Sequence, residues 1–414
     1  MSEVKNILVL TSIYPADDIP KGWTPVVHYF TKEWVKQGHR VLVVNYQARF
    51  PKLYYMVAGL FQTKISSKVG YTVMTSVVDD KHYTIDGVPV YRICLKKLKP
   101  HGRTSEKEMY RALGKTIDYC KEIGFRPDVI TSHWANPQLA MMYHLKELFS
   151  ARTCYIAHGA GHFEVLGRDA DRYWDAVDVV GFRSTAIKRK FETTADYVKP
   201  SFMCYSGIPA SYNDHVVERS YEEVRSAAYV GTLIQRKYPV VLVTAMNNAL
   251  GKDFLLSYAG EGQEQESIKA EAERLGVADN VRLLGRIERN EVISLLDKSD
   301  LFIMISRNET FGLVYLEAMA RGCITIASRD EGFDGIIEDG KNGFLCKAGD
   351  VDELTSIISK IKAMSQTERK RISENAMATA KELTDEKVAK MYLEALMGFQ
   401  PVATKKNDQC MVQG

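Results

Sequence analysis

Two carboxylates with seven residues between them, Glu309 and Glu317, could accept hydrogen bonds from the hydroxyl groups of a sugar. Between them stand Phe311, Gly312 and Leu313, whose backbone N–H groups would lie at the start of a helix. The N-terminus of a helix carries about half a positive charge and unpaired donors, so it suits a phosphate group. Carboxylates for hydroxyls and amides for phosphate together predict a site for a nucleotide sugar.

The surrounding sequence predicts a strand, a tight loop and a helix for this segment. The apolar run 300–306 is short enough to be a buried strand, and Leu313, Leu316 and Ala320 then recur at helical spacing. Gly322 stands where a helix often ends. The first carboxylate would then lie in the loop, and the second would lie on the helix beside its apolar stripe.

The start of the chain predicts the kind of sheet that would hold such a loop. Residues 5–11 read as a buried strand, 26–37 as a helix and 40–45 as a second strand, with a Pro- and Gly-containing loop over 14–24. A strand–helix–strand opening is typical of a parallel sheet with crossover helices. Ligands of such sheets bind beyond the carboxyl ends of the strands, so we expect the loops there to line a cleft.

The segment from Glu309 to Gly322, E-x-F-G-L-x-x-L-E-A-M-A-x-G, resembles the signature of retaining glycosyltransferases of the GT-B fold. The similarity is to glycosyltransferase family 4 in particular, the glycosyl transferases group 1, and covers roughly 5–45 and 125–400. It implies an α/β chain of the GT-B fold, with two Rossmann-like domains facing across a cleft.

The resemblance also implies a division of the chain. We expect an N-terminal acceptor-binding domain over 1–205, in which 46–124 is a variable region, and a C-terminal nucleotide-sugar-binding domain over 206–383. A helix over 384–400 would cross back to the N-terminal domain, and 401–414 would form a tail.

Taken residue by residue, the resemblance implies roles at the donor site. Glu317 would bind the ribose hydroxyls, and Glu309 would bind the hydroxyls of the donor sugar. Arg236 and Lys237, together with the amides of Phe311, Gly312 and Leu313, would stabilise the diphosphate as charge gathers on it. The usual Arg directly after the glycine is Thr232 here, and Arg236 with Lys237 takes its place.

Three further positions follow from the same resemblance. His158 stands where relatives have a histidine that contacts the donor sugar or the reacting centre. Gly22 matches one glycine of a pair usual in the first loop, while Lys21 replaces the other. Ile287 lies in a loop whose backbone reads the nucleotide base in relatives. No metal or cofactor is implied, and a UDP- or GDP-type sugar would be the co-substrate.

Composition is that of a folded protein of more than one domain. The chain has 414 residues, 45% hydrophobic and 26% charged, which is too long for a single core. It contains no run of 18 uncharged apolar residues, and its first residues do not read as a signal peptide. The seven cysteines are scattered without ligand spacing, which favours reduced thiols in a cytoplasmic protein.

Charge is unevenly distributed along the chain. Residues 1–200 contain 29 Lys and Arg against 20 Asp and Glu, a net charge of +9, and the remainder carries −6. The segments 51–68 and 95–103 contain basic but no acidic residues. The charge asymmetry fits an anionic membrane surface or a lipid-linked acceptor, and it fits equally a solvated surface. The segment 51–68 fits an interfacial or acceptor-binding segment, and it fits better an apolar segment packed on the domain.

Three functions stay open at this point. The first is transfer of a hexose-type sugar to a glycan or lipid-linked acceptor, by resemblance in bacterial surface polysaccharide synthesis. The second is a nucleotide-sugar epimerase of the same fold, and the third is a non-catalytic binder of nucleotide sugars or glycans. Nucleic-acid binding has no support beyond the basic first half.

Overall fold

The computed structural model describes residues 3–20, 23–62, 65–66, 72–98, 100, 102–159, 170–194 and 199–398. In these residues the chain forms two α/β halves, each built on its own sheet. The first sheet has the order β3-β4-β2-β1-β5-β6-β7-β8, and all its neighbours are parallel except β3 and β4. Its strands are β1 (Asn6–Thr11), β2 (Arg40–Arg49), β3 (Lys81–Ile85), β4 (Val88–Lys96), β5 (Val129–His133), β6 (Arg152–Ala157), β7 (Val179–Phe182) and β8 (Ser201–Met203).

The second sheet is parallel throughout and has the order β11-β10-β9-β12-β13-β14. Its strands are β9 (Ser226–Val230), β10 (Leu255–Ala259), β11 (Val281–Leu283), β12 (Leu301–Met304), β13 (Ile324–Ser328) and β14 (Phe344–Cys346). Its strands β12 and β13 are fully buried, as expected for a parallel sheet with both faces covered.

Helices connect the strands of both sheets. In the described ranges they are α1 (Val26–Lys36), α2 (Lys52–Leu60), α3 (Glu106–Glu122), α4 (Gln138–Phe149), α5 (Ala170–Asp175), α6 (Thr185–Thr194), α7 (Pro239–Leu250), α8 (Gln265–Leu275), α9 (Arg289–Asp297), α10 (Leu313–Ala320), α11 (Val351–Ala363), α12 (Gln366–Glu382) and α13 (Asp385–Gly398). Of these helices, none has the length and apolarity required to cross a bilayer.

Strand periodicity explains how the first sheet is covered on both faces. Ile7 and Val9 of β1 belong to one cluster of buried apolar residues, while Leu8 and Leu10 belong to another. Successive side chains of a strand point to opposite faces, so the two clusters lie on the two sides of the sheet. The α/β architecture with two Rossmann-like halves, predicted from the sequence, is confirmed.

The last helix, α13, packs on the first half although it follows the second half in the chain. Trp34 of α1 donates its indole N–H to the carbonyl oxygen of Ala389 at 2.8 Å, and its ring meets that of Tyr392 edge-on with centroids 5.0 Å apart. Where the chain returns, Thr384 pairs with Ile208. The two halves therefore share one continuous apolar core through α13. The predicted domain boundaries stay a prediction.

Candidate active site

The segment between β12 and α10 has the predicted form of strand, loop and helix. Gly312 precedes α10 with a φ of +86°, a conformation that favours glycine. A Cβ atom at Gly312 would lie 2.4 Å from the ring of Tyr315, so no larger residue fits. Among the described residues, no side chain caps the N-terminus of α10. The amides that the sequence assigned to phosphate binding thus have no side-chain cap.

Glu309 and Lys237 come together from two different strand ends. The Lys237 Nζ lies 3.5 Å from the Glu309 Oε2, and the side chains are only 14% and 16% exposed. Lys237 follows β9 in a short 3₁₀ turn, Gln235–Lys237, while Glu309 follows β12. Adjacent strands of a parallel sheet end at the same edge, which is why residues so far apart in sequence meet.

Arg236 joins the same two loops through the backbone. Its Nη1 donates to the carbonyl oxygen of Arg307 at 3.0 Å, and the Arg307 N–H donates to the carbonyl oxygen of Arg236 at 2.8 Å. The Arg236 side chain is otherwise exposed. The structure thus brings together Glu309, Lys237 and Arg236 beside the start of α10.

Glu317 is held by a partner that the sequence analysis did not identify. The Arg289 Nη2 lies 3.2 Å from the Glu317 Oε1, and the Arg289 Nε donates to the Tyr212 hydroxyl at 2.9 Å. Burial raises the pKa of Glu317, and the positive charge of Arg289 opposes that rise. Arg289 is the first residue of α9 and follows Ile287 by two positions, so it connects the loop that contains Ile287 with Glu317.

A further residue that the sequence analysis missed is the carboxylate Glu331. Its Oε2 accepts a hydrogen bond from the Glu309 N–H at 3.0 Å. The neighbouring Gly332 allows this approach, since a Cβ atom there would lie 2.6 Å from the Glu309 carbonyl oxygen. An acid next to a glycine after a buried strand is the only sequence signal, and it is too common to identify the contact.

His158 lies in the first half, immediately after β6. The His133 Nδ1 is 3.0 Å from the His158 Nε2, and the Trp134 ring stacks on His158 with centroids 4.2 Å apart. His133 is fully buried, and burial followed by the charge of Arg183 lowers its pKa to about 3. A neutral His133 therefore orients His158. The predicted Gly22 and its neighbour Lys21 lie outside the described residues.

A cavity of about 660 Å³ lies between the two halves. Ser12, Thr24 and Pro137 line it from the first half, and Arg236 and Thr310 line it from the second. It therefore reaches the residue before Lys237 and the residue after Glu309. Within the residues that the structure describes, no cluster of three or more His, Cys, Asp or Glu side chains could hold a metal ion.

Comparison with known proteins finds a family model and sequence relatives that match part of the chain. Residues 212–379 match the model of the family "Glycosyl transferases group 1". The N-acetyl-alpha-D-glucosaminyl L-malate synthase of Bacillus anthracis is 31% identical over 248 residues, which are 54% of this chain and 62% of that protein. The lipopolysaccharide core biosynthesis glycosyltransferase LpsE of Rhizobium meliloti is 29% identical over 168 residues, 40% of this chain and 48% of that protein.

A solved structure shows the same overall fold. HepE of Anabaena in complex with UDP and glucose superposes with a TM-score of 0.64 at 18% identity, covering 95% of this chain and 100% of that one. The fold is therefore that of the GT-B glycosyltransferases. The family model matches less than half of the chain, and the alignments span less than two thirds of both relatives.

Proposed function

We propose that this protein is a retaining glycosyltransferase that moves a hexose-type sugar from a nucleotide-diphosphate sugar to a glycan or lipid-linked acceptor. The observation that carries the proposal is the pair of Lys237 and Glu309, 3.5 Å apart beside the uncapped start of α10. Lys237 and the amides of α10 would bind the diphosphate, and Glu309 beside them would bind the sugar hydroxyls. A protein that only binds glycans has no need to stabilise a leaving diphosphate.

The proposed reaction breaks one bond and forms one. The bond between the anomeric carbon and the diphosphate oxygen breaks, and its electron pair stays on the diphosphate. Lys237, Arg236 and the amides of α10 would stabilise that charge where it develops. The acceptor oxygen then bonds to the same face of the anomeric carbon, and its proton passes to the leaving diphosphate. The nucleoside diphosphate is released.

The remaining residues would bind and orient. Glu309 would accept hydrogen bonds from the donor sugar, and Glu317 would do so from the ribose. The backbone of Ile287 would contact the base, and His158, oriented by His133, would contact the sugar from the first half. Gly22 would allow a close approach of the first loop. No metal or further cofactor is required in this scheme.

The setting we propose is bacterial surface polysaccharide synthesis in the cytoplasm, at the inner face of the membrane, with a UDP- or GDP-type donor. The lipopolysaccharide core enzyme among the relatives and the UDP-bound Anabaena structure support this choice. The uneven charge of the chain, with its basic first half, suits contact with anionic lipids.

Thermal-shift binding tests the donor site. Wild-type protein, Glu317→Ala and the control Glu374→Ala would be titrated with UDP-, GDP-, ADP- and TDP-sugars. A ligand at a hundred times its Kd stabilises a protein by about 2.7 kcal/mol. We expect a shift with one nucleotide series, reduced in Glu317→Ala and unchanged in Glu374→Ala, since Glu374 is an exposed residue of α12. No shift of the folded wild type with any donor would contradict the proposal.

Turnover tests the leaving-group role of Lys237. Losing one charge-assisted hydrogen bond costs about 1.5–3 kcal/mol, so Lys237→Met should lower kcat by about ten- to a hundredfold. The control Lys252→Met removes an exposed cation of the same half that lies outside this site. A product with inverted anomeric configuration would contradict retention. A change of sugar configuration without any acceptor would indicate an epimerase instead.

A further inference from the structure

Lys97 lines the 660 Å³ cavity and has no role in the reaction proposed above. It follows the end of β4 and is half-buried. Burial lowers the pKa of Lys97, and no charged neighbour contributes to that shift. Within the described residues, no carboxylate forms an ion pair with its ammonium group. A desolvated cation that faces a cavity without a counter-ion favours an anionic ligand.

Gln47 supplies a second unused polar group to the same cavity. Its side chain is 3% exposed, and its Nε2 contacts the Met74 Sδ at 3.4 Å. Its Oε1 is buried and accepts no hydrogen bond from any residue that the structure describes. A buried acceptor without a partner is costly, and a ligand hydroxyl donating to it would remove that cost.

Aromatic rings form the apolar part of the cavity wall. Trp23, Phe50 and Tyr54 line it, and the rings of Phe50 and Tyr54 lie with centroids 4.4 Å apart. Such rings suit the faces of a sugar or the first carbons of a chain. Lys97 and Gln47 are thus polar groups set in a largely aromatic wall.

An apolar groove adjoins the cavity at Tyr54, which lines both. The groove has a volume of about 320 Å³, and its other lining residues include Leu53, Val57 and Ala58 of α2 together with Leu98. Leu53 is 65% exposed and Leu98 is 90% exposed, although both are large and apolar. Leu98 follows Lys97 directly, so the apolar groove begins beside the Lys97 cation.

We propose that the acceptor is a lipid-linked phosphate, with its phosphate on Lys97, its hydrocarbon chain in the α2 groove and an acceptor hydroxyl on the Gln47 Oε1. The adjacency of a cation and an apolar groove matches a phosphate attached to a hydrocarbon chain. Arg236 borders the same cavity, so the sugar end of the acceptor would extend towards the donor diphosphate. This inference rests on the proposed glycosyl transfer.

Octyl phosphate, used below its micelle concentration, is the probe for the cation. Its affinity would be measured by calorimetry for wild type, Lys97→Gln and the matched control Lys96→Gln, whose side chain is exposed one residue earlier. We expect Lys97→Gln to weaken binding by about ten- to a hundredfold and Lys96→Gln to leave it unchanged. Equal affinities of wild type and Lys97→Gln would overturn the proposal.

Chain length and head group test the groove. Burying a methylene group contributes up to about fourfold in affinity, so octyl phosphate should bind far more tightly than inorganic phosphate. Octyl glucoside, with the same chain and no charge, should bind weakly. Val57→Ser should weaken the binding of octyl phosphate but not that of inorganic phosphate. Leu60 is exposed on the same helix outside the groove, so Leu60→Ser should change neither affinity. If inorganic phosphate binds as tightly as octyl phosphate, the proposal of a lipid-linked acceptor is wrong, and a soluble phosphorylated acceptor is indicated.

These measurements separate failure of the acceptor from failure of the proposed reaction. The alkyl phosphate titrations need no nucleotide, and the nucleotide-sugar titrations need no acceptor. If octyl phosphate binds and no nucleotide sugar binds, the lipid-phosphate site stands and the proposed glycosyltransferase function is wrong. If a nucleotide sugar binds and octyl phosphate does not, the glycosyltransferase proposal stands and the proposed lipid-linked phosphate acceptor is wrong.

Discussion

Two opposed effects act on the Glu317 carboxylate, since burial raises its pKa and Arg289 lowers it. Under the proposed function the ionised form would accept hydrogen bonds from the ribose hydroxyls, so nucleotide binding should weaken as pH falls through this pKa. Arg289→Gln removes the cation and raises the pKa further, so the loss of binding should begin at a higher pH. Arg289→Gln should bind the nucleotide about two- to fivefold more weakly than wild type at the acidic end of a titration from pH 6 to pH 8, and the difference should shrink as pH rises. Titrations across this range test it, with Arg282→Gln as control.

At the same scale, the sequence predicts residues with a local pattern and misses those with distant partners. Glu309 and the amides of Phe311 to Leu313 lie within one strand–loop–helix unit, which consists of consecutive residues. Arg289 meets Glu317 across 28 positions, and Glu331 meets Glu309 across 22. Such contacts depend on which strands are neighbours in the sheet, and the spacing of residues along the chain does not predict the order of the strands.

At the scale of the element, Gly312 determines how α10 begins. Gly312→Ala combines a positive φ with a Cβ atom 2.4 Å from the Tyr315 ring. Strain and overpacking together should lower the free energy of unfolding by about 2–4 kcal/mol. Gly340→Ala is the matched control, because its φ is +73° but no atom lies within 4 Å of the added Cβ. It should cost about 1–2 kcal/mol. Urea unfolding measures both, and equal losses would show that the Tyr315 contact is irrelevant.

Elements with clear periodicity were predicted well. The helix expected over 26–37 is α1 (Val26–Lys36), and the strand expected over 40–45 lies within β2 (Arg40–Arg49). The segment 51–68 left two interpretations open, because its apolar residues fit both a packed helix and an interfacial one. In the structure α2 buries Tyr55 and Ala58 and exposes Leu53, Met56 and Leu60. One face of α2 packs on the domain while the other is exposed, and the sequence alone does not predict which of the two interpretations applies.

At the scale of the whole molecule, the two halves contact each other at more than one place. Arg189 of α6 forms ion pairs with Asp330 and Asp334 of the second half at 3.0 and 2.9 Å. On the other side, the chain returns from α12 to α13 beside Ile208. The pair of Arg189 and Asp330 is exposed on both sides, so it contributes little to stability in the presence of salt. The return to α13 is built from backbone pairing and buried rings, so it should dominate how the halves are held together.

Asp385, the first residue of α13, places an acidic group in this junction. Its pKa is raised to about 6, first by burial and then by the nearby charge of Glu33, while Arg289, Lys32 and Lys36 act in the opposite direction. Within the described residues its Oδ1 is buried and has no hydrogen-bond partner. A folded-state pKa above the unfolded value means that the folded protein binds more protons between about pH 4 and pH 6. Stability should therefore fall as pH rises through this window.

Asp385→Asn removes the buried charge and should stabilise the protein at pH 7.5 by about 1–3 kcal/mol, with no gain at pH 4. Urea unfolding at the two pH values measures the difference. Glu386→Gln is the matched control, because Glu386 is the next residue of α13 and is exposed. The free energy of unfolding of Glu386→Gln should equal that of wild type at both pH values. A loss of stability in Asp385→Asn at pH 7.5 would show that the carboxylate stabilises the start of α13 more than its burial costs the junction.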